Sequence, residues 1–158
     1  MNDQFRGSPK SKVDTKGRMS IPAQFRRVLE EGDPTREAGK PPTVILVWGP
    51  SSQPYLEGYS RIGMNGISEM IAALPRFSDK RKRAEKLLFR RSVEMQLDDT
   101  GRIVLSKELR DKIGVSGEVQ FSGMGESFQI WSPDAFDADE AMLDDDDLDL
   151  GDLLGGEA

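Results

Sequence analysis

The chain contains one fourteen-residue stretch twice. Residues 13–26 read VDTKGRMSIPAQFR, and residues 97–110 read LDDTGRIVLSKELR. At this offset of 84 positions, Asp14 falls on Asp98, Gly17 on Gly101, Arg18 on Arg102 and Arg26 on Arg110. The apolar positions match as well: Val13 with Leu97, Met19 with Ile103, Ile21 with Leu105 and Phe25 with Leu109. Such a repeat is one supersecondary element used twice. A solenoid needs three or more copies. Two copies instead predict a pair related by a pseudo-twofold axis, with their apolar faces buried on one another.

The chemistry inside the stretch predicts its shape. Asp at the first position of a four-residue turn and Gly at the fourth favour a tight type I turn, with the glycine at positive φ. Asp14 to Gly17 and Asp98 to Gly101 both fit. Short apolar strands follow, Met19 to Ile21 and Ile103 to Leu105. Pro22 suits a first helical position, where its missing N–H is not needed. In the second copy Ser106 is a good N-cap and Gly114 a good stop. Taken alone, Asp-x-x-Gly-Arg is a common hairpin turn with a solvated or Asp-paired arginine. Duplication favours a functional role, because both copies keep Asp, Gly and Arg while the residues between them change.

Composition removes several kinds of chemistry. Cysteine and histidine are both absent, which excludes disulfides, thiolate metal sites, cysteine nucleophiles and the commonest general base. No apolar run reaches the roughly 20 residues of a membrane span. The opening MNDQFRGSPK lacks the apolar core of a signal peptide, so the expected compartment is the cytoplasm. Neither a cofactor nor a metal is expected. The net charge of −6 hides an asymmetry. Residues 137–158 hold ten acidic residues and no basic one, leaving 22 basic and 18 acidic residues in positions 1–136. A modestly basic body carries an acidic tail.

The remaining segments fall around the repeat. Residues 23–31 continue the first helix, with Phe25, Val28 and Leu29 on its apolar side, and Gly32-Asp33-Pro34 ends it. Residues 33–42 read as a loop. Thr43 to Trp48 and Tyr55 to Tyr59 read as a hairpin. Glu118 to Ser122 and Ser127 to Trp131 repeat that hairpin after the second copy. Each unit thus has about four strands and one short helix, too small for a stable isolated domain. Between the units, Ile67, Met70, Ile71 and Leu74 fall at helical spacing and predict one buried face. Ser78 can cap a second helix with Ala84, Leu87 and Leu88 on one side and a basic run from Lys80 to Arg91 around it. That run is either a nucleic-acid surface or a solvated face. Asp144 to Asp147 is a like-charge run expected to stay disordered. The domains expected are a first unit at 5–60, a helical connector at 61–91, a second unit at 92–136 and a disordered acidic tail at 137–158.

These residues resemble a known family. Asp-x-x-Gly-Arg followed by Ile-Pro and a helix looks like the AbrB-type swapped-hairpin DNA-binding module. Two copies joined by a helical pair resemble the MraZ family of transcriptional regulators. Phe5-Arg6-Gly7, the stretch AEKLLFRRSVEMQLDDTGRIVLSKELR and SFQIWSPDAF extend the likeness over about residues 5–136. The sequence departs from the family where Ser106 replaces a frequent proline, in the long 33–42 loop and in its acidic tail. The resemblance implies an α+β fold in which two tandem AbrB-like swapped-hairpin units form a pseudo-dimeric β-barrel with connecting helices. It also implies a ring-like homo-oligomer, associated with the nucleoid. Its DNA partner would be double-stranded promoter DNA with direct repeats upstream of its own operon, in the bacterial division and cell-wall gene cluster. Repression is the implied outcome.

Charge suggests which copy would meet DNA. Residues 5–27 carry seven basic residues against Asp14 alone, whereas residues 89–111 carry five basic and five acidic residues. DNA affinity comes mainly from cations placed at phosphates, and arginine bidentate to guanine is the commonest base contact. The first hairpin is therefore expected to face DNA. Arg18 is the expected base reader; Lys16, Lys12, Lys10 and Arg6 are expected at phosphates, with Thr15 beside them. The alternative for Arg18 is an ion pair with Asp14. Asp14, Gly17, Asp98, Gly101 and Arg102 are assigned to the turns, with the second unit completing the fold. A competing reading is a protein-binding, antitoxin-like module. An enzyme is not expected, since no nucleophile–base set, phosphate-binding loop or His ligand pair is present.

Overall fold

Each copy of the repeated stretch folds as strand, turn, strand and short helix, and a hairpin follows each. The computed structural model describes residues 3–147 and 149–155. In chain order, the first unit holds β1 (Lys10–Lys12), β2 (Arg18–Ser20), α1 (Ala23–Glu31), β3 (Thr43–Trp48) and β4 (Tyr55–Tyr59). Two helices come next, α2 (Arg61–Ala72) and α3 (Asp79–Phe89). The second unit repeats the order as β5 (Ser92–Gln96), β6 (Arg102–Val104), α4 (Lys107–Ile113), β7 (Glu118–Gly123) and β8 (Phe128–Trp131). The helices α5 (Pro133–Asp145) and α6 (Leu150–Gly155) end the described chain.

Local chemistry accounts for the helix ends. Pro22 is the N-cap of α1, one position earlier than expected, and Phe25, Val28 and Leu29 bury the inner stripe. Ser106 caps α4 by accepting the Leu109 N–H at 3.2 Å, and Gly114 closes it at φ 73°. Ser78 does the same for α3 through the Arg81 N–H.

The strand pairing is reciprocal between the units. β2 and β6 form a two-stranded antiparallel ribbon, with Met19 opposite Ile103, Arg18 opposite Val104 and Ser20 opposite Arg102. The Ile21 N–H donates to the Gly101 carbonyl at 3.0 Å, and the Leu105 N–H donates to the Gly17 carbonyl at 2.8 Å. Under the repeat offset these two bonds are one bond seen twice. The other strands form a six-stranded sheet in the order β1-β7-β8-β4-β3-β5. The strand entering the first unit pairs with the second unit's hairpin, Lys10 facing Gln120. The strand entering the second unit pairs with the first unit's hairpin, Glu94 facing Ile45.

This sheet is open, which corrects the expected barrel. β1 and β5 are its edges, each with one neighbour. Each entering strand leaves the sheet at Val13 or Leu97 and turns into the ribbon, so the ladder is interrupted instead of closing around.

One core serves both units. Val44, Leu46, Leu56, Val119, Phe121, Phe128 and Ile130 from the sheet pack with Met19, Ile21 and Ile103 from the ribbon and with the inner faces of α1 and α4. At its centre Phe25 of the first unit lies against Phe121 and Phe128 of the second, with ring centroids 5.7 and 5.1 Å apart. Phe5 adds an edge-on contact to Phe25 at 5.3 Å. The opposite face of the sheet holds a smaller cluster, in which Ile71 and Leu88 of α2 and α3 cover Ile45 and Val47.

Arg61, at the start of α2, ties these layers together. Its guanidinium bonds the buried Asp33 carboxylate at 3.2 Å and the Thr43 hydroxyl at 3.1 Å.

Two further expectations need correction. Met70 is 73% exposed, because α2 buries only Ile71 fully and leaves Met70 on its outer side. The tail, expected to be disordered from residue 137, is helical in α5 and α6 among the described residues, and its residues 148 and 156–158 lie outside them. α5 ends within the like-charge run, at Asp145, and Asp147 takes φ 55°. Among the described residues no helix is long and apolar enough to cross a membrane.

The ring cluster gives a direct test. Phe25→Ala should cost about 3–5 kcal/mol, the usual range for deleting a buried phenyl ring. Urea unfolding followed by circular dichroism measures it, and a single transition is expected because both units share the core.

Candidate nucleic-acid interface

Each turn carboxylate organises its own loop. One Asp14 oxygen accepts the Lys16 and Arg18 N–H groups, both at 2.9 Å, and the other accepts Arg18 Nε at 2.6 Å. Asp98 repeats the pattern. It accepts the Thr100 and Arg102 N–H groups and the Thr100 hydroxyl at 2.9 Å, and Arg102 Nε at 3.0 Å. The Arg18 backbone N–H, then its guanidinium, hold Asp14 below the ordinary carboxylate range. The Arg102 backbone N–H and the Thr100 bonds bring Asp98 down to about 2.

The ion-pair alternative for Arg18 is therefore present in the structure. The pair is exposed, with side chains 42% and 39% accessible, so it is a weak surface bridge. It engages only Nε. The two terminal nitrogens of Arg18 and of Arg102 have no hydrogen-bond partner among the described residues. The carboxylate aims the guanidinium outward instead of consuming it.

The ribbon register places both arginines on one surface. Met19 and Ile103 point into the core, so Arg18, Ser20, Arg102 and Val104 share the outward face. Arg18 and Arg102 sit diagonally across the two strands, about 7–8 Å apart at the backbone. The sequence assigned Arg102 to turn structure alone. The repeat symmetry was the signal that could have placed it beside Arg18.

The other candidates fall into three groups. Thr15 and Lys16 are exposed at the tip of the first turn. Lys10 and Lys12 are exposed on β1, across from Gln120 and Glu118. Arg6 is not brought to this surface. It precedes β1 and the left-handed Gly7; its backbone N–H donates to the Gln24 side-chain oxygen of α1 and its guanidinium to that of Gln4.

Arg26, counted in the basic excess, has a structural use. Its Nη1 donates to the Ile21 carbonyl at 2.6 Å, and its side chain lies over Gly101. Arg110 covers Gly17 and bonds the Leu105 carbonyl at 3.0 Å. Each unit's helix arginine thus packs on the other unit's turn glycine. Gly17 and Gly101, at φ 87° and 81°, leave no room for a Cβ there.

A cleft of about 500 Å³ between α1 and α2 is lined by Val28, Ile62, Gly66 and Met70. Among the described residues no group of three or more potential metal ligands is found.

The chain is similar in sequence to known proteins. Residues 88–149 match the family model described as "MraZ protein, putative antitoxin-like". The chain is 41% identical over 149 residues to "Transcriptional regulator MraZ" of Ruegeria pomeroyi, covering 94% of this chain and 89% of that protein. It is 40% identical over 163 residues to the protein of the same name from Ruegeria sp. strain TM1040, covering 99% of this chain and 98% of that one. A Parvibaculum lavamentivorans relative, also named "Transcriptional regulator MraZ", is 35% identical over 86% of this chain and 80% of its own length.

Two measurements test the turns. Gly17→Ala should cost at least about 1 kcal/mol for the left-handed backbone alone, and more because its Cβ meets the Leu105 carbonyl. Gly7→Ala, at φ 83° with open space around it, carries only the backbone cost and should lower the thermal midpoint less. For Asp98, whose carboxyl is lowered on folding, the turn is fully held above the ordinary value of 3.8 and loosens as pH falls through about 2. An NMR titration of the Thr100 and Arg102 amides should give that low midpoint.

Proposed function

The chain belongs to the MraZ family of transcriptional regulators, and from that premise we propose that it binds double-stranded promoter DNA through the outward face of the β2–β6 ribbon. The observation that carries this reading is the register that sets Arg18 and Arg102 diagonally on the outward face of one two-stranded ribbon. A β-ribbon of this size fits the major groove. An arginine held at Nε by its turn carboxylate keeps its terminal nitrogens for a guanine edge. The reciprocal exchange of entering strands supports the AbrB-type swapped-hairpin description, with two units in one chain acting as a pseudo-dimer.

Charge supports an unequal use of the two halves. Arg18 reads bases, with Thr15 beside it, and Lys16, Lys12 and Lys10 neutralise phosphates. Arg6 extends the basic surface at a distance. Arg102 shares the ribbon face but is flanked at its turn by Asp98 and Asp99, which oppose phosphate approach. One ribbon per chain binds weakly. Several chains in a ring-like homo-oligomer raise the effective concentration along direct repeats. The sites proposed are the repeats upstream of its own operon, in the division and cell-wall cluster, with repression as the outcome in the cytoplasm and at the nucleoid.

An antitoxin-like, protein-binding role is the second reading, favoured by the wording of the matched family description. An antitoxin of this type needs one unit and recruits the second by dimerisation, whereas this chain carries both.

Fluorescence anisotropy with the chain's own upstream DNA separates the roles. Arg18→Ala should weaken binding by about 1–3 kcal/mol and relax sequence preference. Lys16→Ala should weaken all sequences alike and lower the salt slope by about one. Arg102→Ala should have the smaller effect of the two arginines, and a larger one would overturn the unequal use of the halves.

A further inference from the structure

The pseudo-twofold relation leaves one position in the fold unfilled. α2 follows the first unit's hairpin and α5 follows the second unit's. Both begin at a capping serine: Ser60 accepts the Gly63 N–H, and Ser132 accepts the Ala135 N–H. α5 is thus the repeat mate of α2. α2 has a companion, since α3 packs on it through Leu88 and Ile71, and Arg81 reaches back to the Ala72 and Leu74 carbonyls. α5 has none. It buries no residue, and Met142 and Leu143 are 68% and 60% exposed.

The chemistry of the two helices is complementary. α5 carries six acidic residues and no basic one, and among the described residues none of them forms an ion pair. α3 turns Arg81 inward but exposes Lys80, Lys82, Arg83 and Lys86, with Leu87 and Phe89 accessible beside them. Within one chain the two helices serve different parts of the sheet. α5 begins over β8, where Phe136 meets Trp131, whereas α3 lies over β3, with β4 between those strands.

We propose that α5 of one copy docks along the exposed flank of α3 of a neighbouring copy. The second copy supplies the basic helix that α5 lacks, and Met142 and Leu143 meet Leu87 and Phe89 within a frame of opposite charges. The contact is heterologous, since each copy offers one acidic helix and accepts one on its basic helix. Such contacts close into rings or extend into filaments. This names the surface behind the self-association proposed above and rests on that reading for the homo-oligomer alone.

Sedimentation of the full chain without DNA tests it. The wild type should be oligomeric at low ionic strength and lose mass at about 1 M salt, where screening acts within about 3 Å. One variant reverses α3 (Lys82→Glu, Arg83→Glu, Lys86→Glu), and another reverses α5 (Asp137→Lys, Glu140→Lys, Asp144→Lys). Each alone should fall to the mass of a single chain with an unchanged circular dichroism spectrum, and an equimolar mixture should regain the oligomer. A monomeric wild type, an oligomer that survives either reversal, or a mixture that stays dissociated overturns the proposal. Arg18→Ala should keep the wild-type mass, so a failure of the DNA assignment is read separately.

Discussion

Two backbone hydrogen bonds hold the molecule's halves in register: Ile21 N–H to the Gly101 carbonyl, and Leu105 N–H to the Gly17 carbonyl. They require each turn to come close to the other unit's strand, with the other unit's helix arginine lying over the glycine. That closeness is why both turns end in glycine, because a Cβ would displace the partner backbone or side chain. Once the ribbon is fixed, Met19 and Ile103 must face inward, and the six-stranded sheet receives the entering strands in exchanged positions. The units therefore cannot be cut apart without exposing Phe25, Phe121 and Phe128 together.

The same constraint shapes the outer surface. A strand has two faces, so burying Met19 and Ile103 turns Arg18 and Arg102 to solvent. The turn carboxylates then restrict each guanidinium through Nε and leave its outer edge open. A structural ion pair and an outward-directed arginine are here one arrangement. The symmetry of the scaffold does not extend to charge: the first turn offers Lys16 where the second has Thr100, and Thr15 where the second has Asp99. Equal geometry with unequal charge lets one scaffold present two different edges.

Symmetry also fails at the helices. α2 and α5 begin alike, but among the described residues only α2 continues into a second helix shown packed against it. Acidic residues keep the unpaired α5 solvated, while Met142 and Leu143 on the same helix remain without cover. The acidic pI reflects this one segment and not the surface of the body.

Residue patterns near one another in sequence determined much of this protein. Proline, serine and glycine positions marked the ends of α1 and α4, a β-prone run marked β3 with β4 as its return strand, and the repeat of Asp, Gly and Arg announced paired turns. These are local effects, set within a few residues by backbone sterics and capping. The exposed arginine, its lysine neighbours and the charge contrast could be read at the same level, and so could the possible Arg18–Asp14 pair. Tertiary structure alone decided which strand pairs with which hairpin, that the sheet stays open, that Arg26 and Arg110 are structural, and that Arg102 stands beside Arg18 while Arg6 does not. Those outcomes depend on contacts between segments more than a hundred residues apart, such as Lys10 with Gln120, and burial at one strand fixes the facing of the next only after the two have met.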